Sequence, residues 1–442
     1  MKIPPFVLRL MRLSPVYLPS DNLAMALDIA NKYGDVAQIQ LGNFPMYMLC
    51  NPELVHEMLV EKPEKFHKSE MLHRALEFAG NGLVTNEGDS WKRQRKLAQP
   101  AFHHKRIEGY AQMMVAQTCT TLESWGSGRP IGIFHEMMKT TLQIVAQSLF
   151  STDVSDQVER LGELSATLLE GANDRLTIVP FLADKLPTPK HRREALALRD
   201  LHALIDSMIQ ARHRQNNDTG DLLSMLLNAR DEATGEPMSD QQLRDEIITL
   251  ILAGHETTAV ALTWAWYLIA QHPEVEAKLR TELAPFARAA LSLGDLSRLP
   301  YTEMVIKETM RLYPPAGGVM RSPIEDVKIG EYVFPKGSTI AVSSYVMHRS
   351  AQNFPNPESF SPERFSPEHE AEIPRYAYLP FGAGPRICIG NMFAMLEARL
   401  ILATVLQHYT LALVPGQRIV PKQLFTTRPN QEIYMLPAPK PM

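Results

Sequence analysis

Phe381-Gly-Ala-Gly-Pro-Arg-Ile-Cys-Ile-Gly390 is the stretch on which the fold of this chain turns. A glycine-rich loop carries a cysteine, Cys388, and runs straight into Asn391 to Tyr409, where apolar Met392, Met395, Leu396 and Leu400 recur at helical spacing. The thiol therefore stands at a helix N-terminus. Free backbone N–H groups and the positive end of the helix dipole favour a thiolate there. Gly384 and Gly390 let backbone pass close to a flat, bulky object, and Arg386 puts a cation two residues from the sulfur. A lone cysteine in a turn is usually a buried structural one. The glycines, the arginine and the helix together count against that here.

The rest of the chain is consistent with a globular body built around such a loop. Of 442 residues, 45% are hydrophobic and 21% charged, which excludes a disordered or fibrous chain. Lys plus Arg is 45 and Asp plus Glu is 49, a net charge of −4 that gives no case for nucleic-acid binding. Three cysteines, Cys50, Cys119 and Cys388, are too few for a disulfide framework and fit a reducing cytosol. The N-terminal MKIPPFVLRLMRLSPVYLP is apolar, but Pro4, Pro5, Pro15 and Pro19 interrupt it and Arg9 and Arg12 charge it. It reads neither as a secretory signal nor as a membrane span, so a cytoplasmic protein is expected, with Phe6 to Leu13 packed on the body. Helical periodicity dominates, with Leu142, Val145, Ala146 and Leu149 on one helix and Leu222, Leu223, Leu226 and Leu227 on another. Two hairpins are expected: Val36 to Leu41 with Met46 to Leu49, and Tyr332 to Phe334 with Thr339 to Val342 across Pro335-Lys336-Gly337. The last third is rich in Pro and Gly, as ordered loops around a site would be.

Three further segments carry chemistry. Glu308-Thr-Met-Arg311 lies in a helix, Tyr301 to Leu312, stopped by Pro314-Pro315. The i, i+3 spacing sets carboxylate and guanidinium on one face. Alone it would be a surface ion pair of little consequence. Thr249 to Ala270 is long and almost wholly apolar, hence a buried central helix. Yet its middle holds Gly254, His255, Glu256, Thr257 and Thr258, and a Thr can back-bond to the carbonyl at i−4, here Ala253, and bend the helix. His255 reads as an ordinary core histidine. Trp91 and Arg95, at i, i+4, present an indole N–H and a guanidinium on one helical face. The window Trp91 to Arg106 also holds Lys92, Arg93, Lys96, Lys105 and Arg106 and no acid.

Taken in order, these segments resemble the cytochrome P-450 superfamily. FGAGPRICIG matches the family's haem-binding loop, FxxGxRxCxG, at each specified position. ETMRLYPP followed by FSPERF (360–365) resembles its ExxR and PERF pair, and AGHETT (253–258) its oxygen groove. The resemblance spans Trp91 through Gly390. It implies a mainly α fold with a small β-rich region and haem buried between the central helix and the cysteine loop. Residues 1–442 would form a single domain, with a β-containing part at about 30–70, a helical core at about 90–320, and a meander and haem-binding loop at about 350–390.

By the same resemblance, Cys388 is the axial thiolate of haem b and favours O–O cleavage. Phe381 tunes that thiolate. Arg386, Trp91 with Arg95, and Arg321 contact the propionates, with His348 a further contact. Glu308, Arg311 and Arg364 brace the cysteine loop. Ala253 and Gly254 are cofactor-binding residues of the groove, Thr257 stabilises bound dioxygen and Glu256 relays protons through water. The implied reaction is monooxygenation with electrons from NAD(P)H through a separate ferredoxin- or flavodoxin-type donor, because no fused reductase fits in this length. The basic window would dock that donor. Substrate contacts would come from Leu72, Leu76, Phe78 and Leu83, from Leu168 to Phe181, from Leu250 and Ala253, from Ala316 to Val319, and from Leu424-Phe425. Each aliphatic is as readily ordinary core. Their apolar character implies a hydrophobic substrate such as a fatty acid, terpenoid or carotenoid. Competing readings are a haem-thiolate isomerase or dehydratase that uses no O2, against which Thr257 and Glu256 stand, and a non-enzymatic haem or gas sensor, for which no output domain is visible.

Overall fold

The computed structural model describes residues 6–10, 22–41, 44–102, 104–126, 128–150, 155–177, 188–215, 220–231, 234–286 and 289–440. Five helices position the site: α1 (Gly88–Ala98), α2 (Ile133–Phe150), α3 (Asp240–Gln271), α4 (Pro300–Leu312) and α5 (Asn391–His408). The central helix α3 begins earlier than its apolar run, because Ser239 caps it: the Ser239 hydroxyl oxygen accepts from the Gln242 N–H at 3.2 Å. Pro300 opens α4, where its missing N–H costs no hydrogen bond.

Helix α3 is the axle of the fold. It passes between α2, α4 and α5, and Ala259, Val260, Leu262, Trp264 and Ala265 are fully buried. Helix α5 is mostly apolar, and its middle is enclosed, with Leu400, Ile401, Leu402 and Ala403 each 0% exposed. Burying one such leucine contributes about 2 kcal/mol. The Trp264 ring stacks on Tyr313 at 3.9 Å, and its indole N–H donates to the Thr427 carbonyl at 2.7 Å. The C-terminal strand pair, Pro421–Gln423 with Thr427–Pro429, is thereby fastened to the core. Asp240–Gln271 is the one helix, among the described residues, long and apolar enough to cross a membrane, and 78% of that window is buried inside the protein.

A six-stranded sheet packs at one side. Its strands are β1 (Phe6–Leu10), β2 (Val36–Leu41), β3 (Phe44–Leu49), β4 (Phe66–Lys68), β5 (Gly318–Pro323) and, after β6 (Val327–Ile329) and β7 (Tyr332–Phe334), β8 (Thr339–Ser343). The order is β1-β2-β3-β8-β5-β4. The β2–β3 hairpin forms as expected, with β3 starting at Phe44. The second expected hairpin does not. Strand β7 pairs back onto β6 across Gly330, whose φ of +56° supplies the turn, while β8 inserts between β3 and β5. A short apolar strand pairs with whichever edge buries it, and Ile340 and Val342 of β8 are buried in the sheet. Strand β1 pairs in parallel with β2, so part of the apolar N-terminal run lies on the body. Gln215 to Gly220, expected as a surface loop, falls largely outside the described residues.

Candidate active site

The cysteine loop closes on itself before it enters α5. The Cys388 N–H donates to the Phe381 carbonyl at 3.0 Å, and the Ile387 N–H to the Gly384 carbonyl at 3.1 Å. Gly384 has φ +71°, and a Cβ there would lie 1.9 Å from the Leu59 carbonyl oxygen. The close approach this glycine permits is therefore to the backbone at Leu59. It does not line the cavity, which corrects the role expected for it. Gly390 does line it.

Above the loop is a cavity of about 340 Å³, the size range of small-molecule sites. Its floor is Phe381, Cys388 and Gly390; its roof is Leu250, Ala253, Gly254, Thr257 and Thr258 of α3. Thr257 back-bonds as its sequence position implied, its hydroxyl donating to the Ala253 carbonyl at 2.8 Å. Gly254 lets α3 approach α2: a Cβ there would meet Val145 at 3.0 Å. Cys388 is exposed to the cavity; the poorly hydrated surroundings there push its thiol up, while the Gly390 N–H and the Arg95 guanidinium pull it down. The other thiols have no such donors; burial raises Cys119, and burial with Asp35 raises Cys50 to about 12.

Cations line this cavity. Arg95, Arg321 and Arg386 are present as expected, together with Lys68. Arg95 donates to the Ile387 carbonyl at 2.6 Å, and the Arg386 guanidinium lies 3.8 Å over the Trp91 ring. Burial and the neighbouring Arg386 lower Arg321 to about 10. Burial, with Arg386 and Arg321, lowers Lys68 to about 7. Sequence reasoning missed Lys68 because nothing in Phe66–Lys68 announces a strand that pairs with β5 and delivers its third residue opposite Arg321. The basic window is less bare than its sequence: Lys92 pairs with Asp89 at 2.8 Å and Arg93 with Asp231 at 3.0 Å. The side chains of Lys105 and Arg106 lie outside the described residues.

Two expected site residues are elsewhere. Glu256 does not line the cavity. It is 1% exposed; Arg428 donates to one carboxylate oxygen at 2.9 Å and stands 2.6 Å from the other as an ion pair, and the Thr426 hydroxyl donates to the first. Adjacent helical residues point about 100° apart, so with Thr257 on the cavity wall Glu256 faces the C-terminal strand pair instead. His348 is fully buried between the motifs. Its Nδ1–H donates to the Arg311 carbonyl at 3.2 Å and its Nε2 accepts from the Leu379 N–H at 2.9 Å. Burial and Arg311 hold it neutral, lowered to about 3.

His348 is also the link by which the Glu308 network reaches the cysteine loop. Arg311 donates to both Glu308 oxygens at 2.7 and 2.8 Å, and to the carbonyls of His348, Pro357 and Ser359 at 2.8, 2.6 and 2.9 Å. Arg364 stands 3.5 Å from Glu308. The bracing is thus of the 348–361 segment first, and of the loop through His348 and Leu379. Of the expected pocket residues, Leu83, Leu250, Ala253 and Val319 line the cavity. Leu72, Leu76, Phe78 and Phe425 belong to the same hydrophobic cluster as Leu83 and Leu250 but do not line the cavity. Leu168 is core as well, and 178–181 lie outside the described residues. His255 is core as expected, its Nδ1–H donating to the Ile251 carbonyl at 2.6 Å.

Two buried carboxyls escaped sequence reasoning. Burial raises Glu246 of α3 and Glu397 of α5 to about 8 each, the Leu83 N–H and the Thr258 hydroxyl respectively pulling the other way. The unfolded chain releases these protons near pH 4.5. Stability should therefore fall as pH rises from there to about 8. Neutral His348 adds the opposite trend, with stability lost as pH falls below 6.5. Glu397→Gln should flatten the alkaline decline and melt higher than the parent at pH 8. Melting midpoints between pH 5.5 and 8.5 test this; an unaltered slope in the variant would count against a neutral Glu397.

Comparison with known proteins agrees with this geometry. Residues 4–437 match the family model described as Cytochrome P450. Cyclooctatin synthase of Streptomyces melanosporofaciens is 39% identical over 411 residues, 92% of this chain and 89% of that protein. Cyclooctat-9-en-7-ol 5-monooxygenase of the same organism is 35% identical, over 87% of this chain and 84% of that protein. Pentalenene oxygenase of Streptomyces avermitilis is 35% identical, over 89% and 88%. The crystal structure of cytochrome P450DA heme domain superposes with a TM-score of 0.86 over 95% of this chain and 93% of that one, at 24% identity. With a family match across nearly its whole length, and a thiol facing the middle of its central helix, this chain belongs to the cytochrome P450 family and is a monooxygenase.

Proposed function

We propose that the chain is a haem-thiolate monooxygenase of a hydrophobic terpenoid, with Cys388 the iron ligand of haem b. The observation that carries this is Cys388 across an apolar cavity from Thr257, with Lys68, Arg95, Arg321 and Arg386 lining the same space. This donor set fits haem. Among the described residues one carboxylate, Glu87, acts on both Arg321 and Arg386, and buried cations in excess of their counter-ions call for anionic groups such as propionates. Bound there, haem supplies O2 activation, and a thiolate ligand favours O–O cleavage. Cys388 holds the iron, and Arg95, Arg321, Arg386 and Lys68 hold the carboxylates. Thr257 keeps a donatable proton at Oγ1 on the cavity wall. Two electrons come from NAD(P)H through a separate ferredoxin- or flavodoxin-type protein, and the cytoplasm keeps Cys388 reduced.

Cavity walls of Leu83, Val145, Leu149, Leu250 and Val319 exclude water and favour an apolar substrate. The names of the relatives favour a terpenoid over a fatty acid. Titrating the ferric protein with terpenoid alkenes and alcohols should give a low- to high-spin shift that fatty acids do not. A tighter shift with fatty acids would reassign the substrate class. Thr257→Ala should retain that shift but yield several-fold less product per NAD(P)H consumed, with Thr257→Ser restoring most of it. Unchanged coupling in the alanine variant would remove Thr257 from the proton path.

A further inference from the structure

Glu87 immediately precedes α1 in extended backbone, φ −133°. An acid there would ordinarily be held by the helix dipole, yet this side chain makes no cap bond. It reaches away from α1. One carboxylate oxygen accepts from the Lys68 N–H of β4 at 2.7 Å, and the other is ion-paired to Arg386 of the cysteine loop. Arg386 is held on two further sides: it donates to the Asn86 carbonyl at 2.7 Å and lies over Trp91. Glu87 and Arg386 are 20% and 15% exposed, so little water competes with the pair.

The surrounding charge is one-sided. Arg321 is 9% exposed and, among the described residues, feels Arg386 as a repelling neighbour and Glu87 as its one attracting neighbour. Lys68 is half-buried beside Arg386 and Arg321, and its ammonium is bonded to the Val84 carbonyl. A carboxylate placed among these cations, and spent on none of the helix donors beside it, does two things. It orients Arg386, and it adds a fixed negative charge where the propionates would bind.

We propose that Glu87 is a positioning residue for haem: it holds Arg386 in place for a propionate and, as a third carboxylate there, keeps the iron's reduction potential low. This rests on the haem reading above. Glu87→Gln keeps the shape and an acceptor for the Lys68 N–H while removing the charge. In the haem-loaded enzyme it should shift the ferric/ferrous equilibrium several-fold toward ferrous, and haem should pass to an excess of a haem scavenger several-fold faster. Glu87→Asp keeps the charge and shortens the reach, so it should keep the parental potential while losing haem faster. Arg386→Gln should remove most of the effect of Glu87→Gln on haem loss. An unchanged potential in Glu87→Gln, or slower haem loss, overturns the proposal. The reduced, CO-bound spectrum of the parent is the separate check: absence of a thiolate-haem band there refutes the haem reading itself, whereas a normal band with an unmoved potential refutes only the role of Glu87.

Discussion

Replacing Cys388 by serine is expected to abolish the long-wavelength Soret band of the reduced, CO-bound protein, and with it all oxygenation, while leaving the polypeptide folded. The loop is held by backbone: the Cys388 N–H to Phe381, the Ile387 N–H to Gly384, and Gly384 against Leu59. None of these needs the sulfur. The chemistry does, because a serine hydroxyl does not ionise in the range where a thiol between a backbone N–H and a guanidinium can. Electron density that a thiolate would push onto iron is then missing. An unchanged band in Cys388→Ser would dispose of the ligand assignment. A collapse of helical circular dichroism together with the band would show instead that the thiol is needed for folding.

Arg311→Ala should be the most damaging substitution remote from the cavity. Arg311 and Glu308 are both 0% exposed and share two bonds, and the same guanidinium serves three backbone carbonyls. Breaking a buried pair by removing one partner costs about 3–5 kcal/mol, against a total stability of roughly 5–15 kcal/mol for a folded domain. The freed carbonyls include that of His348, whose ring secures Leu379 beside the cysteine loop, so haem retention should fail with stability. Lysine should not rescue, because an ammonium cannot span both Glu308 oxygens and three carbonyls. Arg364→Ala should be milder, since Arg364 stands 3.5 Å from Glu308 and is 12% exposed. Haem content per polypeptide and the melting midpoint measure all three. Parental values in Arg311→Ala would show that the network does not hold the loop.

The legible features share one physical property: each is local in sequence. The loop from Phe381 to Gly390, the Glu308–Arg311 spacing, the apolar run of α3 and the Thr257 back-bond all depend on residues a few positions apart, where chain geometry dictates who meets whom. Glu256 shows the limit. Its sequence neighbour Thr257 lines the cavity, and residues adjacent in a helix point about 100° apart. What Glu256 faces instead was not legible, because Arg428 lies 172 residues away.

Long-range pairing decided the rest. Strand β4 meets β5 although more than two hundred residues separate Lys68 from Arg321, and this pairing gathers Lys68, Arg321 and Arg386. His348 reads as a ligand contact in sequence, yet burial between α4 and the loop makes it a neutral connector. Leu76, Phe78 and Phe425 are as apolar as Leu83 and Leu250 and share their cluster, and only packing brings the latter two to the cavity. By itself, then, the sequence determined the family, the cysteine loop and the central helix, because covalent proximity and helical periodicity specify them. Tertiary structure alone decided which cations gather, which carboxylates are buried and which apolar side chains the substrate would meet, because those depend on contacts between segments that no local pattern encodes.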